Sequence, residues 1–167
     1  MLAFMGLTDR TKFRRKYIHP LMEAGILELT IPEKLVTQRV NSSRQLLVAY
    51  DNQQNYFLDT TNVSNYSTWD EKTPLKYLCG LLNSKLINFW YCKKYLMPTI
   101  GGYEFHSIPI KTANDYSTFI ALVDEAILAA QRNNYEILRI KMKEIDKIVY
   151  DIYELTDTEI KIIEQSF

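Results

Sequence analysis

Hydrophobic and polar residues follow a helical spacing at the start of the chain. Apolar residues recur three or four positions apart over residues 8–24, which predicts a helix that ends at Gly25. Pro20 lies inside this pattern, so we expect a kink or a break near His19. Residues 26–31 then alternate apolar and polar side chains for most of their length, and this period of two predicts a strand.

Three short runs typical of β-strands come next, separated by clusters of polar turn residues. They cover residues 35–40, 45–50 and 55–58. Their length and spacing predict a small antiparallel β meander.

The second half of the chain has predominantly helical periodicity. Thr73 as N-cap and Pro74 at the first helical position open one strong helix, which we expect to run to about Tyr95. Prolines and glycines in residues 97–111 favour an ordered loop or hairpin in place of a helix. Amphipathic stripes and a capping box predict three more helices, at residues 119–130, 138–153 and 156–163. The expected fold class is therefore α+β: a small antiparallel β meander with a central helix, followed by an α-helical C-terminal hairpin.

Composition bounds the class of protein and its expected location. The 167 residues are 47% hydrophobic and 24% charged, so the chain can bury the core of about one domain, and a large multi-step enzyme is excluded. No apolar run approaches the roughly 20 residues of a membrane-spanning helix. Two cysteines and no recognisable leader favour a reducing compartment, so we expect a soluble, cytoplasmic protein.

The net charge of zero hides a division along the chain. Residues 1–111 contain 14 Lys and Arg against 9 Asp and Glu, whereas residues 112–167 contain 6 against 11. A basic part and an acidic part are therefore expected to have different partners.

The usual signatures of catalysis are not found in the sequence. The two histidines and two cysteines have no metal-ligand spacing, since Cys79 and Cys92 lie 13 residues apart on an apolar helix. Gly101-Gly102 is the only glycine pair, and no Lys-Ser/Thr follows it at the spacing of a phosphate-binding loop. We find no acid/base pair of carboxylates, because those of the last 50 residues are expected on the solvent side of helices. The sequence therefore predicts no metal site and no cofactor, and it offers no catalytic residues.

Basic residues are the main candidate chemistry. Five of the seven residues from Arg10 to Lys16 are basic, a density that suits phosphate binding, although a solvated helix face is the ordinary alternative. Phosphate contacts supply affinity for DNA, while base edges are read by side chains on an inserted loop or helix, for which Tyr103, His106 and Arg39 are candidates. The predicted DNA-binding residues are Arg10, Lys12, Arg14, Arg15, Lys16, Arg39, Arg44, Lys93, Lys94, Gly101, Gly102, Tyr103, His106 and Lys111.

Several segments together are characteristic of a known family. They are residues 47–51, 56–59, 77–89 (Tyr-Leu-Cys-Gly-Leu-Leu-Asn-Ser-Lys-Leu-Ile-Asn-Phe), 101–103 (Gly-Gly-Tyr), 108–110 (Ile-Pro-Ile) and 144–160. With these segments, residues 35–167 resemble the TaqI-like C-terminal specificity domain, the target recognition part of Type IIG restriction-modification enzymes and related adenine-specific DNA methyltransferases. The resemblance implies a DNA-binding module that selects a recognition sequence without catalysis. The Asn/Asp-Pro-Pro-Tyr/Phe motif of the family's methylating half does not occur in this sequence.

The first 34 residues resemble a different kind of domain. Residues 5–10, 13–14, 21–26 and 29–32 look like the recognition helix and wing of a winged helix domain found at the ends of some bacterial ATP-binding and helicase-like proteins. The predicted organisation is a partial winged-helix-like segment over residues 1–34 and a specificity domain over residues 35–167. The latter divides into a mixed β/α recognition part, residues 35–111, and a helical tail, residues 112–167.

Three interpretations of function stay open from the sequence. The first is a target recognition module or subunit that binds double-stranded DNA and directs a methyltransferase or restriction endonuclease partner. The second is a regulatory or remnant fragment that binds a restriction-modification protein without reading DNA. The third is a small transcriptional regulator that uses the basic helix. The first and third predict DNA binding that weakens steeply with salt, whereas the second predicts little affinity at physiological ionic strength.

Overall fold

The structure, a computed structural model, describes residues 12, 14–26, 33–40, 45–53, 55, 57, 60–64, 72–95 and 99–167. The chain forms two compact units, Met1–Pro32 and Glu33–Phe167.

The described part of the first unit is a short helical segment. A π-helical turn, Arg14–Ile18, leads directly into helix α1 (His19–Glu23), which has Pro20 in its first turn. The helix type changes at His19, next to the proline that lacks a backbone N–H. The backbone stays helical across this change, since Ile18 has an αR conformation, so the described residues show a change of helix type and leave the predicted kink or break a prediction. The helix ends before Gly25, whose φ of 68° is the left-handed conformation that ends many helices. The beginning of this predicted helix and all but the first residue of the predicted strand lie outside the described residues.

The second unit contains a three-stranded antiparallel sheet. Its strands, in chain order, are β1 (Lys34–Gln38), β2 (Val48–Asp51) and β3 (Thr61–Ser64). Leu35 of β1 pairs with Tyr50 on one side and with Ser64 on the other, so the strand order is β2-β1-β3. The antiparallel sheet is confirmed, and its order refines the prediction, since a simple meander would place β2 at the centre.

The third strand lies later than the sequence pattern indicates. The prediction of a strand at residues 55–58 is wrong, because the described residues there are not in a strand and β3 begins at Thr61. The carboxylate of Asp51 accepts hydrogen bonds from the backbone N–H groups of Gln53 and Asn55, both at 3.0 Å, and so turns the chain at the end of β2. Burial raises the pKa of Asp51, but these hydrogen bonds, together with those from the Lys34 and Asn55 side chains, outweigh it and hold the pKa below its ordinary value.

Two helices follow in the chain where the sequence predicts one, and the first of them packs against β1 and β2. They are α2 (Leu75–Asn83) and α3 (Lys85–Lys94). The single helix is broken at Ser84, whose ψ of 154° is extended and whose hydroxyl accepts the N–H of Ile87, capping α3. Since serine is a preferred N-cap, the Asn-Ser pair inside the apolar run is the sequence signal for this break.

Asparagines on both sides of the break bind the backbone that leads into β2. The side chain of Asn83 accepts the N–H of Val48 at 3.0 Å and donates to the C=O of the same residue at 2.7 Å. Asn88, which is buried, accepts the N–H of Leu46 at 2.6 Å. Because β2 is an edge strand, its outer backbone groups have no neighbouring strand to pair with. The two amides take the place of that strand.

The segment after α3 contains a short helix, α4 (Gly102–His106), where the sequence predicts a loop or hairpin. The side chain of Glu104 accepts the N–H of Gly101 at 3.1 Å, and the N–H of Phe105 donates to the C=O of Gly101. A glutamate three residues after the N-cap closes the first turn in this way, and it outweighs the helix-breaking character of the glycine pair.

Three C-terminal helices complete the second unit, and they confirm the predicted hairpin and last helix. They are α5 (Ser117–Gln131), α6 (Tyr135–Ile152) and α7 (Asp157–Glu164). Thr156 and Glu159 form the predicted capping box of α7. Helix α5 approaches α2 so closely that a β-carbon on Gly80 would lie 2.5 Å from Val123 Cγ2 and 2.7 Å from the Phe119 ring. The core between these helices contains the fully buried Tyr77, Leu78, Leu81, Leu82, Ile145 and Val149.

One carboxylate of the tail departs from the predicted solvent-facing pattern. Asp146 on α6 is 4% exposed, and its side chain accepts the N–H of Lys85 at 2.8 Å. Lys85 is the first residue of α3, where backbone N–H groups have no partner inside the helix, so the carboxylate satisfies one of them. Burial raises the pKa of Asp146, against the opposing effect of Lys85.

Candidate nucleic-acid interface

Residues 99–107, which we call the Gly-Gly-Tyr segment, are attached to the ends of two strands. The N–H of Ile100 donates to the carbonyl of Arg39, just after β1, at 2.7 Å. The side-chain amide of Asn62 on β3 donates to the carbonyl of Ile100, also at 2.7 Å. The exposed Arg39 therefore lies at the base of the segment.

The segment is anchored by apolar side chains and presents two others to solvent. Ile100 and Phe105 are buried, as is Ile108 directly after the segment. Tyr103 is 79% exposed, and His106 is exposed as well. Helix α4 thus places an aromatic ring and an imidazole on the protein surface, where either could contact a base edge.

Two exposed lysines lie at the C-terminal end of α3. The ammonium of Lys94 is 4.5 Å from the ring centroid of Trp90, and that of Lys93 is 5.4 Å from the ring centroid of Phe89. Cation–π contacts and the negative end of a helix both favour positive charge at this place. The two ammonium groups are therefore held near the helix end while they stay accessible to an anion.

A side-chain hydrogen bond joins the end of α3 to the Gly-Gly-Tyr segment. The hydroxyl of Tyr95, the residue after α3, bonds to the hydroxyl of Ser107. The Ser107 hydroxyl donates to the carbonyl of Glu104 at 2.8 Å, so Tyr95 must be the donor to Ser107. Lys94 directly precedes Tyr95, and its ammonium lies 5.4 Å from the centroid of the Tyr95 ring.

The positively charged side chains around the segment differ from Lys111 in whether they form ion pairs. Arg39, Lys93 and Lys94 form no ion pair within the part of the chain that the structure describes. Lys111, in contrast, contacts Glu154 at 2.8 Å. The three unpaired cations give this surface a local excess of positive charge, to which Lys111 adds little.

A buried hydroxyl lies beneath this surface. Tyr91 is 1% exposed, and its hydroxyl has no hydrogen-bond partner among the described residues. Burial raises the pKa of Tyr91 to about 12, and the nearby charge of Glu104 adds to the effect. Its ring packs against that of Tyr95, with 5.1 Å between centroids, and supports the tyrosine that holds Ser107.

The basic residues of the first unit are described only in part. Lys12, Arg15 and Lys16 are exposed. Arg14 belongs to the π-helical turn, while Arg10 lies outside the described residues, as does Arg44 of the second unit. Of the remaining predicted site residues, Gly101 is the N-cap of α4 and Gly102 is its first residue.

Sequence reasoning missed the residues that hold the candidate site in place. Asn62 and Tyr95 were not among the predicted site residues, and no local pattern indicates them, because their partners are about 38 and 12 residues away along the chain. Asn83 and Asn88 stand in a motif of the family resemblance. The structure gives them a scaffold role at β2.

The described residues were compared with the requirements of a metal site and of a membrane-spanning helix. No three His, Cys, Asp or Glu side chains there are grouped so that they could hold a metal ion. Among the helices described, none combines the length and apolar character needed to cross a membrane.

Comparison with known proteins identifies one family. The model of the TaqI-like C-terminal specificity domain matches residues 7–110. This range includes every predicted DNA-binding residue except Lys111, and it extends into the segment that resembles a winged helix, whereas α5, α6 and α7 lie beyond it. No curated protein and no solved structure matches the chain. Because the matched region is more than half of the sequence, the protein belongs to the TaqI-like C-terminal specificity domain family.

Proposed function

We propose that this protein is a non-catalytic target recognition module or subunit of a restriction-modification system. It binds double-stranded DNA and gives sequence specificity to a methyltransferase or endonuclease partner of the Type IIG kind. The observation that carries the proposal is the family match over residues 7–110, which contains both the basic segment and the Gly-Gly-Tyr segment.

Affinity in this proposal comes from phosphate contacts. Lys93 and Lys94 are exposed and without ion pairs among the described residues, and cation–π contacts hold them at one helix end. The basic residues 10–16 supply further phosphate contacts, in the winged-helix-like arrangement that their sequence resembles. Lys111 has a lesser role, because Glu154 already neutralises it.

Sequence selection in this proposal comes from the Gly-Gly-Tyr segment. Tyr103 and His106 project from α4, and Arg39 lies at its base through the bond to Ile100. Arginine suits bidentate contact with guanine, while tyrosine and histidine offer both a flat ring and a polar group. In this proposal, three side chains suited to reading bases therefore accompany the lysines that bind phosphates.

The helical tail supports a role in binding a protein partner. Residues 112–167 contain 11 acidic against 6 basic residues, a balance that disfavours contact with DNA. Leu128, Tyr135, Ile137 and Ile140 are exposed near the tip of the α5–α6 hairpin. These apolar residues also favour the second interpretation, a fragment that binds a restriction-modification protein in the cytoplasm without reading DNA.

Fluorescence anisotropy with a randomised DNA duplex, at two salt concentrations, tests the proposal. Sequencing of the retained DNA is the second readout. Salt-sensitive binding with an enriched motif is expected. Failure to bind at low salt would refute DNA recognition by the isolated chain and leave the protein-binding interpretation.

A further inference from the structure

The Gly-Gly-Tyr segment is held by neutral side chains at both of its ends. One is Asn62, from the sheet, and the other is Tyr95, from the end of α3. Both are partly buried, so they are unsuited to direct contact with DNA. Their place in the fold nevertheless decides how the exposed side chains of α4 are oriented.

The Asn62 contact fixes the start of the segment. The peptide groups on both sides of the buried Ile100 side chain are bound, since the N–H donates to Arg39 and the C=O accepts from Asn62, each at 2.7 Å. Residue 62 belongs to β3, which pairs with β1 over four positions. The start of the segment therefore has the rigidity of the sheet rather than that of a loop.

The Tyr95 contact fixes the end of the segment. Tyr95 donates to Ser107, and Ser107 donates to the carbonyl of Glu104 inside α4. The chain of two hydrogen bonds connects α4 to the same helix end that carries Lys93 and Lys94. It thereby sets the position of α4 relative to the two lysine ammonium groups.

We propose that Asn62 and Tyr95 are positioning residues for base selection, which hold Tyr103 and His106 in register with the phosphate-binding lysines. This inference rests on the proposed function. Base discrimination requires side chains placed to within about half an ångström, whereas a phosphate contact from a flexible lysine tolerates more movement. Loss of either clamp should therefore reduce discrimination between sequences without removing phosphate contacts.

The test uses the full chain with Asn62→Ala, Tyr95→Phe and the double variant. For each, binding to the motif enriched by the native protein and to a scrambled duplex gives a specificity ratio, and a salt series gives the slope of affinity against salt. Two variants serve as matched controls. Thr61→Ala changes the adjacent residue of β3, and Tyr135→Phe removes a tyrosine hydroxyl from the distant hairpin, where it bonds to Asn133.

The specificity ratio should fall about fivefold for each single variant, the effect of one lost neutral hydrogen bond, while the salt slope stays that of the native protein. Both controls should keep the native ratio. An unchanged ratio in Asn62→Ala and Tyr95→Phe would overturn the inference. The inference would also be overturned if the specificity ratio and the salt slope both fell in step with the folded fraction, which thermal unfolding measures. That result would indicate a loss of general stability instead of a loss of positioning. If the native protein itself enriches no motif, the proposed function fails, which is a separate result.

Discussion

The two lysines at the end of α3 give the most direct quantitative prediction. Replacing both Lys93 and Lys94 with alanine removes two exposed ammonium groups that form no ion pair among the described residues. The aromatic rings beneath them, Phe89 and Trp90, stay in place, so the surface keeps its shape. If each ammonium contacts one phosphate, the variant releases two fewer counterions on binding DNA.

The expected magnitude follows from the number of lost contacts. Each phosphate contact contributes about 0.9 to the slope of log affinity against log salt on duplex DNA, so the slope of the double variant should be smaller by about 1.8. A rise in salt from about 50 to about 200 mM should then weaken the native protein roughly tenfold more than the variant. The loss should be similar for all sequences, since phosphates carry no sequence information.

The assay is fluorescence anisotropy over a salt series, with Lys143→Ala/Lys147→Ala as the matched control. That control removes the same charge from exposed positions of α6, outside the family match. A control slope equal to that of Lys93→Ala/Lys94→Ala would show that overall charge alone is measured. Such a result, or a native slope in the α3 variant, would refute the assignment of phosphate contacts to this helix end.

Three further predictions concern the scaffold, and each is measured by urea unfolding. Gly80→Ala should destabilise the protein, because overpacking against Val123 costs about 1–3 kcal/mol and outweighs the about 0.5–1 kcal/mol that alanine gains in a helix; a more stable variant would contradict the close approach of α2 and α5. Asn83→Ala should cost about 2–4 kcal/mol by leaving the N–H and C=O of Val48 without their partner, and a loss under about 0.5 kcal/mol would argue against the edge-strand role. Asp146→Asn should be more stable than the native protein at pH 7, since the raised pKa means that folding disfavours the charged form. The difference in free energy of unfolding between this variant and the native protein should disappear as the pH falls below 3.8. A difference that does not change with pH would refute this reasoning.

The elements that the sequence predicts well are those whose stabilising contacts are local in the chain. Helices α5, α6 and α7 have apolar stripes of helical period, and Thr156 lies three residues before the Glu159 that completes its capping box. The position of the third strand is mispredicted because Asp51 turns the chain by accepting hydrogen bonds from backbone N–H groups. The alternation of apolar and polar side chains does not predict such a turn. The Asn62 contact with Ile100 depends on the placement of that strand, so the supports of the candidate site could not be found before the strand itself.

The motif at residues 77–89, part of the family resemblance, contains none of the side chains that are proposed to read bases. Asn83 and Asn88 bind the backbone beside β2, and Ser84 caps a helix, so the most recognisable stretch of the chain is scaffold. Tyr103 and His106, in contrast, are exposed on α4. Under the proposed function, a relative with the same scaffold and different side chains at these two positions would select a different DNA sequence. The scaffold would then position the reading surface, while the exposed side chains on it would determine the target.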